Sequence, residues 1–282
     1  MILERQTLFL PNIQISYLEW NQGQEPVLLL HGLADHALVW SDFGDYLGNC
    51  LAKSYHVVAP DMRGHGESSK PEKDYSFASA IADLESLMDK VGWSSAHVVA
   101  HSWSGKLACI WARQNPERLK SMVLVDPIFI WKMPSFLKLT FPILYSVLPF
   151  LKGMGPFNSY EEAEELARKL NQYQGWTPLQ QQVFQAGIEE KADGSWGSKF
   201  TTAARDGIFD EVMRVPGLTI PIDIPTLFIQ PEKGVNRQDW QLKTYKTYLK
   251  NLRVTTAPGN HWCFLTQPEA FKQIVEGFLK SV

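Results

Sequence analysis

His97-Val98-Val99-Ala100-His101-Ser102-Trp103-Ser104-Gly105 is the stretch on which the fold turns. Ala96–Ala100 is a short, continuous apolar run and reads as a buried strand. A helical pattern starts near Ser104 and runs over Gly105–Gln114. Ser102 sits on the turn between them. A sharp strand-to-helix turn that presents a serine hydroxyl needs small residues two places before and two places after it. Ala100 and Ser104 stand there, a relaxed version of the pattern with glycine at both places.

Working outward, similar apolar runs recur at Val27–Leu30, His56–Ala59, Met122–Val125, Thr226–Ile229 and Val254–Ala257. Continuous rather than alternating apolarity is expected of parallel strands covered on both faces. Thr7–Trp20 alternates around Pro11-Asn12 and reads as an antiparallel hairpin. Helical stripes lie between the runs. Phe77–Val91 puts Ala80, Ile81, Leu84, Leu87, Met88 and Val91 on one face, and Glu269–Leu279 closes the chain. Alternating strands and helices predict an α/β protein with a mostly parallel, doubly wound sheet.

The rhythm stops between Pro127 and Ile224, where no buried-strand signal appears. Ser159 and Glu162 form a capping-box pattern before a helix through Leu170. Trp131, Phe136, Phe141, Tyr145, Phe150, Phe157, Trp176, Phe184 and Trp196 crowd this segment. The reading is a helical cap over 127–224, inserted into a core formed by 1–126 and 225–282, with Pro216, Gly217, Pro221 and Pro225 as the return linker.

Chemistry enters at three further places. Directly after Val27–Leu30 comes His31-Gly32-Leu33, where a glycine lets the backbone turn close to a ligand. The N–H groups of Leu33 and Trp103 are thereby placed to converge on one oxyanion. Asp61–Ser68 reads as a loop that braces the site, with His65 structural rather than a base. Of seven histidines only His261 follows Ser102. In this architecture the order is serine, acid, histidine, which makes His261 the expected base.

Together, His31-Gly32, the Asp61–Ser68 loop, the Ala100–Ser104 turn and Gly259-Asn260-His261 resemble the α/β-hydrolase superfamily, in its serine-nucleophile branch with a helical cap. The resemblance covers nearly the whole chain except the cap. It is specific for the fold and weak for the substrate. It implies an acid after the strand that leaves the cap, in a Gly-x-x-Asp turn. Here that strand is followed by Gln230-Pro231-Glu232-Lys233-Gly234, and Gly234 stands where the aspartate is expected. Asp126 ends the preceding strand, from which some branches of the superfamily draw their acid. Glu232 is the alternative acid, and a triad without a working acid is the third option.

The expected function is a serine hydrolase of the esterase and lipase kind, cleaving an apolar ester or thioester through an acyl-enzyme on Ser102. A serine nucleophile argues against the branches that use aspartate to displace halide or open epoxides. The alternatives are a non-catalytic small-molecule-binding relative with a degraded triad, and an aminopeptidase or amidase. The cap acids Glu161, Glu162, Glu164 and Glu165 could serve the latter but look like a solvated helix face.

Bulk properties narrow the partners. The chain has 282 residues, 45% hydrophobic and 20% charged, with a formal net charge of −3, which gives no basic footprint for nucleic acid. Cys50, Cys109 and Cys263 are odd in number and far apart, so no disulfide framework or thiolate metal site is expected. No cofactor motif is present. No signal peptide is legible at Met1-Ile2-Leu3-Glu4, and a cytoplasmic location is the default expectation. Met133–Gly155 is strongly apolar; packing onto the sheet is the preferred reading and contact with a membrane surface the lesser one.

Overall fold

The computed structural model describes residues 5–20, 23–50, 55–134, 151 and 153–282. Among them is an eight-stranded sheet built from β1 (Arg5–Leu10), β2 (Ile13–Trp20), β3 (Glu25–Leu30), β4 (Tyr55–Pro60), β5 (Ala96–His101), β6 (Leu119–Val125), β9 (Thr226–Lys233) and β10 (Leu252–Asn260). Its spatial order is β1-β2-β4-β3-β5-β6-β9-β10. β1 and β2 form a hairpin whose two-residue loop is Pro11-Asn12, and β2 pairs antiparallel with β4. From β4 to β10 every pairing is parallel.

The continuous apolar runs have a direct cause. Alternate residues of each strand face opposite layers. Leu28, Leu30, Val98, Ala100, Met122 and Leu124 pack with helices α2 (Phe77–Lys90) and α3 (Trp103–Gln114). Val27, Leu29, Val99, Val123 and Val125 pack instead with α1 (Ser41–Asp45) and the C-terminal helices α8 (Cys263–Thr266) and α9 (Pro268–Leu279). Each such side chain fully buried contributes about 1.5–3 kcal/mol. β10 departs from the expectation of a buried strand. It runs on to Asn260 and forms the sheet edge, so Val254 is 41% exposed.

Between β6 and β9 the chain forms α4 (Tyr160–Ala167), α5 (Pro178–Gly187) and α6 (Thr202–Arg214). It also forms a small antiparallel hairpin of β7 (Ile188–Glu190) and β8 (Trp196–Ser198), which the sequence pattern did not signal. With three residues per strand, the hairpin is too short to show a period. The expected capping box is only half made. Ser159 Oγ accepts from Glu162 N–H at 3.2 Å, but the Glu162 carboxylate takes the N–H of Asn158, and the helix ends at Ala167 rather than Leu170. A complete capping box lies at Thr177 and Gln180 of α5. Tyr160, Tyr173, Trp176, Phe184 and Trp196 pack on one another within this insertion. Phe136, Phe141, Tyr145, Phe150 and most of the apolar stretch 133–155 lie outside the described residues.

α7 (Asp239–Tyr248) links β9 to β10. Among the described residues no helix is long and apolar enough to cross a membrane. Cys109 and Cys263 are buried free thiols.

Candidate active site

The parallel strands end on one edge of the sheet, and three of them deliver the residues of interest. β5 stops at His101 and α3 begins at Trp103, leaving Ser102 alone on the turn with φ +58° and ψ −120°. Non-glycine residues rarely adopt this left-handed backbone, and its strain is held by neighbours. Ser102 N–H donates to Val125 O at 3.0 Å, and its own carbonyl accepts from Gly105 at 3.0 Å. Gly105 cannot carry a side chain, because a Cβ there would stand 2.6 Å from Cβ of Pro127. Ser104 Oγ donates to His31 O at 2.6 Å, tying the turn to the loop after β3.

Asp126 follows β6 immediately and is 0% exposed. Its carboxylate accepts from Val235 N–H at 2.8 Å, from Asn236 N–H at 3.1 Å and from Asn236 Nδ2 at 2.8 Å. Burial works against the charge, but His261 and the Val235 and Asn236 donors outweigh it and hold the carboxyl below its ordinary range. An ionised carboxylate only accepts hydrogen bonds. His261 Nδ1, 2.6 Å from Asp126 Oδ2, therefore carries the proton. Nε2 is left free to accept, and it faces Ser102 Oγ at 3.1 Å. His261 comes directly after β10, so Asp126, His261 and Ser102 form one hydrogen-bonded chain drawn from three strand ends.

Glu232 does not join it; it lies exposed on β9. Gly234, at the vacant acid position, abuts the site from the other side. Its N–H donates to Pro231 O at 2.9 Å, and the two residues after it supply donors to Asp126.

The loop after β3 is braced from below. His31 Nδ1 donates to Gly32 O at 2.7 Å, and Nε2 accepts from Met62 N–H at 2.9 Å. Burial lowers the pKa of His31, which fits this neutral tautomer. Asp61 is buried and accepts from Ala37 N–H at 2.6 Å, Glu67 N–H at 2.8 Å and Arg5 Nη1 at 2.6 Å. His65 is buried and stacks on Phe200 with centroids 4.3 Å apart. Its pKa is lowered well below the ordinary value, first by burial and then by His31. Among the described residues the N–H groups of Leu33 and Trp103 have no backbone acceptor, and Leu33 lines the same cavity as Ser102.

The sequence matches the family model described as the alpha/beta hydrolase fold over residues 25–268. The chain belongs to the α/β-hydrolase family. Epoxide hydrolase 4 of Mus musculus is 25% identical over 290 residues, covering 92% of this chain and 74% of that protein. Among solved structures, E-2-(acetamidomethylene)succinate hydrolase superposes with a TM-score of 0.79 at 17% identity, covering 99% of each chain. The thioesterase domain from the curacin biosynthetic pathway superposes with a TM-score of 0.76 at 20% identity, covering 98% of this chain and 99% of its own. At these identities the solved structures show the fold.

In this α/β-hydrolase the site opens on a cavity of about 490 Å³, within the range of small-molecule pockets. Its walls include Ile128, Phe129, Trp131, Met133, Phe209 and Trp240. Trp131 stacks on Trp240 at 5.6 Å and donates through Nε1 to Thr244 Oγ1 at 2.6 Å. Among the described lining residues none is a carboxylate, and Lys233 is the one lysine or arginine. Glu164 and Glu165 of α4 pair with Arg168 and Lys169 one helical turn on, away from the cavity. Among the described residues no group of three or more His, Cys, Asp or Glu is placed to hold a metal ion.

Asn236 was not legible in the sequence as part of the site. It lies 110 residues from the aspartate it supports, and nothing in its neighbourhood marks it.

Proposed function

We propose that this α/β-hydrolase is a serine hydrolase that cleaves apolar carboxylic esters or thioesters through an acyl-enzyme on Ser102. One observation carries the reading: the chain Ser102 Oγ to His261 Nε2 at 3.1 Å and His261 Nδ1 to Asp126 Oδ2 at 2.6 Å. His261 takes the hydroxyl proton as Ser102 Oγ attacks the carbonyl carbon. Negative charge then gathers on the carbonyl oxygen, where the N–H groups of Leu33 and Trp103 are the available donors. Such a donor is worth about 2.7–4 kcal/mol in measured cases. Collapse expels the alkoxide or thiolate, which takes the proton from His261. Water then attacks the acyl-enzyme with His261 again as base, returning Ser102 and releasing the acid. Asp126 holds the tautomer and offsets the charge of the imidazolium.

The described part of the cavity wall supports an apolar acyl or alcohol group and gives an ammonium group no acidic partner, which disfavours an aminopeptidase. The segment over 127–224 serves in this reading as the specificity cap. Opening an epoxide through an alkyl-enzyme needs a carboxylate where this chain has the Ser102 hydroxyl. A glycine at 234 would suit a non-catalytic binding protein, but Asp126 supplies a carboxylate at His261 from the neighbouring strand end.

The test is a substrate panel: p-nitrophenyl esters of rising chain length, acyl thioesters, aminoacyl amides and styrene oxide. The reading expects turnover of esters or thioesters and none of the epoxide or the amides. Turnover confined to the epoxide or the amides would contradict it.

A further inference from the structure

Behind the reacting groups lies a second histidine and aspartate pair that the proposed chemistry does not use. His101, the residue before Ser102, and Asp35, three residues past Gly32, are both buried. His101 Nε2 faces the backbone carbonyl of His261 at 3.0 Å. A carbonyl only accepts, so Nε2 carries the proton and donates. Nδ1 of the same ring lies 3.5 Å from Asp35 Oδ2. Asp35 in turn accepts from Nε1 of Trp262 at 3.1 and 3.3 Å. Two consecutive residues, His261 and Trp262, are thus gripped by two side chains, His101 from the end of β5 and Asp35 from the loop after β3.

The packing leaves this arrangement little slack. A Cβ on Gly32 would stand 2.5 Å from His101 Nδ1 and 2.9 Å from Asp35 Oδ2. The rings of His101 and His261 are 4.5 Å apart, and Phe264 packs edge-on against His101 at 4.8 Å. The edge strand β10 has a neighbour on one side only, so the residue after it needs anchors from elsewhere.

We propose that His101 and Asp35 are positioning residues, which fix the His261 backbone so that its ring spans Ser102 Oγ and Asp126. They touch no reacting atom in this scheme and act through His261. The reaction-rate part of the proposal rests on the serine-hydrolase reading above; the geometric part does not.

The experiment compares the parent with His101→Leu, His101→Gln and Asp35→Leu by two readouts. The first is kcat and KM on p-nitrophenyl butyrate. The second is the downfield proton resonance of His261 Nδ1–H, deshielded by its short hydrogen bond to Asp126 and measurable without turnover. His101→Leu should lower kcat about 10- to 100-fold with KM little changed, as expected when a reacting group is slightly misplaced. The resonance should move upfield or broaden. His101→Gln, whose amide can still donate to the His261 carbonyl, should recover much of both. Asp35→Leu roughly keeps the size, removes the acceptor of Trp262 Nε1–H and should lower kcat by up to about tenfold; it carries the test should His101→Leu fail to fold. Unchanged kcat and an unchanged resonance in a folded His101→Leu, or in Asp35→Leu where that variant carries the test, would overturn the proposal. A parent inactive on every ester would count against the proposed function, while the resonance would still decide whether His101 positions His261.

Discussion

The carboxylate of Asp126 occupies the space that a side chain at 234 would need: a Cβ on Gly234 would stand 2.5 Å from Asp126 Oδ2 and 2.9 Å from its Cγ. The aspartate at the end of β6 and the glycine after β9 are two halves of one arrangement. Gly234→Ala should push the carboxylate away from His261 and lower kcat about 10- to 100-fold, with a smaller effect on melting temperature. Steady-state kinetics beside a thermal melt checks this. An unimpaired Gly234→Ala would mean that the carboxylate has room to move.

Asp126→Asn preserves shape but removes the charge and offers His261 an amide. His261 can then hold the wrong tautomer, with Nε2 protonated and unable to accept from Ser102. Turnover should fall about 10⁴-fold, as in the analogous change in a serine protease, while circular dichroism stays that of the parent. Activity within tenfold of the parent would remove Asp126 from the mechanism.

Lys106 on α3 is fully buried, and its Nζ donates to Phe129 O at 2.6 Å, to Trp131 O at 3.1 Å and to Val212 O. Burial pushes its pKa down to about 7, with the nearby Glu211 carboxylate pulling the other way. The contacts fasten α6 and the chain after β6 to α3, and they steady Phe129 at φ +47°. Lys106→Met would leave the buried Val212 carbonyl and the part-buried carbonyls of Phe129 and Trp131 without this donor, at a cost of about 1–3 kcal/mol for a buried one. Urea unfolding should show a loss of about 3 kcal/mol or more. KM should also rise, because Phe129 and Trp131 line the cavity. A variant as stable as the parent would contradict this role.

Asp61 carries a pH signature. Burial opposes its charge, but Arg5, His36 and the N–H groups of Glu67 and Ala37 lower its folded pKa below the ordinary value. A depressed carboxyl contributes stability that is present above its unfolded pKa of about 3.9 and lost as pH falls through the folded value. The parent should exceed Asp61→Asn in stability by about 2 kcal/mol or more near neutral pH, with the gap closing below about pH 4. Denaturant curves across that range decide it; a gap that does not depend on pH would contradict the linkage.

The sheet was legible because its central strands are covered on both faces, and Val27–Leu30 or Met122–Val125 leave little else to read. β10 was harder, since an edge strand such as Leu252–Asn260 is partly exposed. The β7–β8 hairpin was invisible because three-residue strands show no period. At the site, chain order alone points to His261, and strand ends point to Ser102 and Asp126. What the sequence does not display is support across the chain. Asn236 donates to an aspartate 110 residues away, and His101, inside an apolar strand, holds a carbonyl 160 residues away. Neither contact leaves a local pattern. Of the apolar and aromatic residues in the insertion, Trp131 and Phe209 face the cavity while Phe184 and Trp176 pack among themselves, and their composition is the same.

The central claim is that Ser102 is an activated nucleophile. Its most direct test is labelling of the purified protein with a fluorophosphonate, followed by mass spectrometry to locate the adduct. The account predicts one adduct, on Ser102, that is lost in His261→Ala. A folded protein that takes no adduct, or takes one that survives His261→Ala unchanged in rate, would contradict it.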